Sequence, residues 1–205
     1  MSQPGVADIQ VHGITRGAFL ARTALAAGAL YGVGAAGTAF AHQKHGAFSG
    51  GDVGIANFAL TLEKIEAEFY KRALAVGGLS PEVRKVLESV SKDEAAHVQT
   101  LNQTITQLGG KADPSPQVSI PDLADERQVL SVAADLEDVG VSAYNGAATQ
   151  IESVDLLQAA ASIAQVEARH AGALRELAGE FPTVGPFDAV LSGEQADAAV
   201  HRLTS

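Results

Sequence analysis

Apolar side chains recur at spacings of three and four through Ile55, Phe58, Leu62, Ile65 and Phe69, the period of a helix that buries one face. Asp52 precedes this run as a cap and Gly77 and Gly78 follow it as a stop, so the pattern predicts a helix from about Val53 to Val76. Ser80 followed by Pro81 marks a second start, and Val83, Val86, Leu87, Val90, His97, Leu101, Ile105 and Leu108 carry the same period to Gly109 and Gly110. A third helix is expected from near Pro121 or Asp122 to Ile151, and a fourth from the turn at Ser153 to just before Gly179. Ser192 and Gln195 form a capping-box pattern that opens a short helix in the C-terminal tail.

Two of the three joins between the long helices are short turns, which make antiparallel pairs. The join from Gly110 to Ile120 differs, because Pro114 and Pro116 hold it extended. Helices of this length span about 40 Å and a stretch of this kind covers roughly 35 to 40 Å. It therefore reaches the full height of a bundle. The fold class is all-α: a four-helix bundle with one long crossover between the second and third helices, plus a short C-terminal helix, which is ferritin-like topology. The expected organisation is residues 1–41 as an export signal, 42–51 as a flexible mature N-terminus, 52–180 as the bundle and 181–205 as the tail.

The signal rests on the stretch from Thr23 to Ala41, which carries no charge, follows Arg16 and Arg22, and ends in the small-x-small pattern Ala39, Phe40, Ala41. Thr15 to Leu20 resembles a twin-arginine export motif with Gly17 in place of the second arginine. Cleavage would leave a mature chain in the periplasm, cell envelope or outside the cell. The competing reading is an uncleaved segment that anchors the chain, since 19 uncharged residues just reach spanning length. The formal charge of −10, with no Lys/Arg run, excludes a nucleic-acid partner. The absence of Cys removes disulfides, thiolate metal sites and thiol redox chemistry, leaving carboxylates and imidazoles as ligands.

Those ligand types occur in a repeat. Leu62-Glu63 with Tyr70, then Glu94 and His97 with Leu101, are matched by Leu136-Glu137 with Tyr144, then Glu167 and His170 with Leu174. The offsets are 74 residues for the Glu and Tyr positions and 73 for the Glu-x-x-His group, so two halves repeat one order and imply a pseudo-two-fold bundle. Residues at i and i+3 share a helix face, which aims each Glu and His at one point. Glu63, Glu94, His97, Glu137, Glu167 and His170 are the candidate ligands of two divalent ions, Fe or Mn, with one His per metal and two bridging Glu. Four carboxylates nearly balance two such ions, and inward-facing carboxylates without a partner would be costly. Tyr70 and Tyr144 return to the same face at i+7, where their hydroxyls reach the ligand carboxylates. Glu66, one turn from Glu63, stands beside the ligands as a supporting group. Asp135 and Asp138 are expected in solvent, and no catalytic residue is assigned.

One Glu on the first and third helices and a Glu-x-x-His on the second and fourth is the pattern of ferritin-like di-iron and di-manganese carboxylate proteins. Asp52-Val-Gly-Ile-Ala-Asn-Phe-Ala-Leu-Thr-Leu-Glu63, Glu66-Ala-Glu-Phe-Tyr70, Glu137-Asp-Val-Gly-Val-Ser-Ala-Tyr144 and Pro186-Phe187-Asp188 resemble the desiccation-related, ferritin-like family. That resemblance implies an exported, stress-associated metal-binding bundle. Two functions follow as expectations. One is a redox protein that meets O2 or peroxide, either ferroxidase-like or peroxide-disproportionating. The other is a non-catalytic envelope protein in desiccation tolerance that uses the bundle structurally. Self-association into a homo-oligomer is compatible with either.

Overall fold

The computed structural model describes residues 48, 50–116 and 120–204. The expected export signal lies outside the described residues. Among the described residues five helices follow in order: α1 (Gly51–Ala73), α2 (Pro81–Gln107), α3 (Glu126–Ala147), α4 (Val154–Leu177) and α5 (Gly193–Leu203). There is no strand among the described residues. Helix α1 packs on α2 and α3 on α4; α1 also meets α3 and α2 meets α4, which closes a four-helix bundle. No helix among the described residues is long and apolar enough to cross a membrane.

The caps explain the boundaries. Ser80, Ser153 and Ser192 each accept a hydrogen bond from the third backbone N–H of the helix they open, and Ser192 and Gln195 complete the capping box. Two expectations are corrected. Helix α1 starts at Gly51, with Asp52 inside its first turn; the Asp52 carboxylate instead accepts from the N–H groups of Glu152 and Ser153, at 2.9 and 2.6 Å, and ties α1 to the start of α4. Helix α3 begins at Glu126, later than Pro121 or Asp122, because Asp125 caps it through Gln128 N–H, and it ends at Ala147 rather than Ile151. Ile120 is buried in the core from the linker, so its apolar character belongs to packing and not to the helix.

The linker runs alongside α1 as a crossover. Asn57 donates to the Lys111 carbonyl and accepts from Asp113 N–H, Lys64 donates to the Asp113 carbonyl, and Arg72 donates to the Ile120 carbonyl. Asn57 to Arg72 is about 22 Å of helix. The two halves of the chain also interlock. Glu126, 74 residues after Asp52, accepts from the N–H of Ser80, as Asp52 does from Ser153. Each half thus secures the N-terminus of the other half's second helix.

Two apolar clusters fill the bundle. One gathers Phe69, Leu87, Val129, Leu136 and Leu174; the other Ile55, Leu60, Leu101, Ile105 and Leu156. Each such side chain contributes about 1.5 to 3 kcal/mol on burial. A third cluster docks α5, where Ala196 and Val200 meet Leu62, Ile65 and Ala143. This docking needs Gly146: a Cβ there would lie 1.8 Å from the Leu191 carbonyl oxygen. Leu191 N–H in turn donates to the Ser142 carbonyl at 3.0 Å.

Candidate metal centre

Glu63 and Glu137 lie on α1 and α3, and the Glu94/His97 and Glu167/His170 pairs on α2 and α4, all pointing inward. The four glutamates are 0% exposed, and His97 and His170 are 8% and 7% exposed. The structure therefore brings all six sequence-predicted residues into one cluster. Their donor atoms form two overlapping groups, Glu63, Glu94, His97 and Glu167, and Glu94, Glu137, Glu167 and His170; within each, one atom per residue lies within 4.8 Å of the others. Glu94 and Glu167 belong to both.

Both imidazoles present Nδ1 to the carboxylates. His97 Nδ1 is 3.1 Å from Glu63 and from Glu94 and 3.0 Å from Glu167, and His170 Nδ1 is 3.1 Å from Glu94 and 3.3 Å from Glu137. The ring centroids are 6.3 Å apart. The tyrosines cross between halves: Tyr144 on α3 donates its hydroxyl to Glu63 at 2.5 Å, and Tyr70 on α1 donates to Glu137. Both are buried, and both hold the carboxylate of the opposite half.

Sequence reasoning missed Asp93, whose carboxylate lies 3.2 Å from His170 Nε2 and fixes that nitrogen as the donor, leaving Nδ1 to face the cluster. Its signal was adjacency to Glu94 alone, since the repeat position in the second half is Val166. Asp138 is also corrected. It pairs with Arg175, whose side chain is 9% exposed, so it is not simply solvated, whereas Asp135 is exposed as expected.

The electrostatics show what the cluster lacks. Burial holds the Glu63, Glu66 and Glu167 carboxyls well above the usual range, and raises Glu137 to about 8. For Glu94, burial is outweighed by hydrogen bonds from His170 and His97, which lower it to about 2. Burial also opposes charge on His97, but Glu167, Glu63 and Glu94 outweigh it and raise the imidazole to about 12; His170 is raised in the same way. The positive charge that these carboxylates demand is therefore supplied by protonated imidazoles. Even so, Glu66 Oε2 and Glu167 Oε2 are buried without a hydrogen-bond donor. Such orphaned oxygens are expensive. Cations seated among them would satisfy the lone pairs and displace the imidazole protons, and an all-oxygen-and-nitrogen set suits Fe or Mn.

No curated protein matches the chain. A family model described as the ferritin-like domain matches residues 51–180, more than half of the sequence and all four bundle helices. The bundle, the crossover and the buried carboxylate and histidine cluster agree with that match, and the chain belongs to the ferritin-like domain family.

Proposed function

We propose that the chain is an exported redox protein holding two divalent metal ions, Fe or Mn, that act on O2 or peroxide in oxidative-stress protection. The observation that carries this reading is the overlap of the two donor groups, which share Glu94 and Glu167 and differ in Glu63/His97 against Glu137/His170. Glu94 and Glu167 are then the residues common to both ions, and each His supplies one terminal nitrogen. A metal pair of this kind supplies electrons to, or accepts them from, an oxygen substrate. The protein's own part is to neutralise the ions with buried carboxylates, to orient Glu63 and Glu137 through the tyrosine hydroxyls, and to exclude bulk water. The N-terminal charge and hydropathy pattern supports export.

Protein expressed with iron or manganese and purified gently should carry about two metal ions per chain. Content well below one per chain, or content unchanged on substituting Glu94 and His97, would overturn the reading. The enclosure of the four glutamates, all 0% exposed, favours a second reading in which the metals staple the bundle of a non-catalytic, desiccation-associated envelope protein. Turnover separates the two. A metal-loaded sample that neither consumes peroxide nor oxidises Fe(II) supports the staple.

A further inference from the structure

The two halves repeat Glu63 as Glu137 and Tyr70 as Tyr144, but the repeat partner of Glu66 is Gly140. This break is structural. Glu66 is 3% exposed, one turn along α1 from Glu63, and its Oε1 lies 3.1 Å from where a Cβ on Gly140 would stand. The same Cβ would be 3.6 Å from Glu167 Oε2. Glu66 Oε1 and Glu167 Oε2 thus both border the space that the missing side chain on α3 leaves open. The other oxygen of Glu66, Oε2, is buried with no donor, as is Oε2 of Glu167. A structural glutamate would have found a hydrogen-bond donor; this one is buried among acceptors.

We propose that Glu66 is a fifth carboxylate ligand of the metal centre, admitted by Gly140, which makes the two halves of the pair inequivalent. The inference rests on the metal-centre reading above. Four glutamates cancel the charge of two divalent ions, and a fifth leaves one negative charge in excess. An additional negative charge beside the ions would favour the higher metal charge, so Glu66 would bias a bound pair towards its oxidised state when an oxidant of the O2 or peroxide class takes the electron. A site acting only as a staple has no use for such a bias.

The test uses the full chain, stripped of metal and titrated with Mn(II) or Co(II) against a competing chelator, as wild type, Glu66→Gln and Gly140→Ala. Glu66→Gln keeps the volume and removes the charge; Gly140→Ala keeps the carboxylate and crowds it away from Glu167. The expected result is two ions in the wild type, with one of them bound at least about tenfold more weakly in Glu66→Gln. The Co(II) visible spectrum should change, and the Fe-loaded reduction potential should move to a more positive value. Gly140→Ala should shift affinity and spectrum in the same direction, and decides the matter should Glu66→Gln fail to fold. A folded Glu66→Gln variant that binds both ions with wild-type affinity and spectrum overturns the proposal while leaving the metal centre standing. A wild-type chain that binds no metal overturns both.

Discussion

Stripped of metal, the protein should lose stability as pH rises from about 6.5 to about 8. Glu137 keeps its proton in the folded chain up to about 8 but gives it up near 4.5 when unfolded, and His97 keeps its proton to about 12 against 6.5. Both folded values are raised. Each group therefore adds stability that is full below its unfolded value and drains away as pH climbs towards the folded one. Between 6.5 and 8 the folded state holds two more protons than the unfolded state from these residues alone. At about 1.4 kcal/mol per proton per pH unit, the loss over that window is on the order of 4 kcal/mol. Glu63, Glu66, Glu167 and His170 are raised too and add in the same sense, whereas Glu94, lowered to about 2, acts only below 4.5. A domain of this size has roughly 5 to 15 kcal/mol in hand, so the effect is large. Urea unfolding followed by circular dichroism in the presence of chelator, at several pH values across the window, measures it. Excess Mn(II) should abolish or invert the slope, because the metal competes with those protons and binds better as pH rises. A metal-free stability that is flat or rising across the window would refute the electrostatic account of the cluster.

Other residues make separate predictions. Gly146→Ala gains about 1 kcal/mol of helix propensity but drives its Cβ to within 1.8 Å of the Leu191 carbonyl oxygen; displacing the tail should give a net loss of about 1 to 3 kcal/mol in thermal or urea unfolding. Tyr144→Phe leaves Glu63 Oε1 without its 2.5 Å donor and should cost about 1 to 3 kcal/mol in the metal-free protein, by the same unfolding measurement. Asp93→Ala should weaken metal binding about tenfold in a chelator competition, while changing metal-free stability by only about 0.5 kcal/mol, because Asp93 is half exposed.

The helix starts at Ser80, Ser153 and Ser192 were legible because a cap is a local event, decided by one side chain and the backbone three residues on. The six clustered residues were legible for a different reason, since a repeat reports tertiary placement without any single motif having to be specific. What could not be read is whatever depends on the far side of the molecule. Pro121 and Asp122 look like a helix start, yet Leu123 packs on the core from the linker and Asp125 is the cap, so local start signals placed α3 too early. Asp52 looks like a cap by position, but its partners are a hundred residues away at the head of α4. Glu66 resembles any glutamate one turn from a ligand until Gly140 is known to face it.

The crossed contacts make the two halves of the repeat depend on each other. Had each half built its own metal site, Tyr70 would hold Glu63 and Tyr144 would hold Glu137. Instead each hydroxyl reaches the carboxylate of the other half, and each of Asp52 and Glu126 secures the first turn of the other half's second helix. Glu94 and Glu167 are likewise shared between the two donor groups. Half a bundle would thus leave buried carboxylates without donors and helix starts without acceptors, so neither half is a self-sufficient unit. Two of the repeat positions that differ lie beside the cluster: Glu66 against Gly140 and Asp93 against Val166. Symmetry accounts for the bundle's stability, and chemical distinction between the two ends of the site depends on these departures from it.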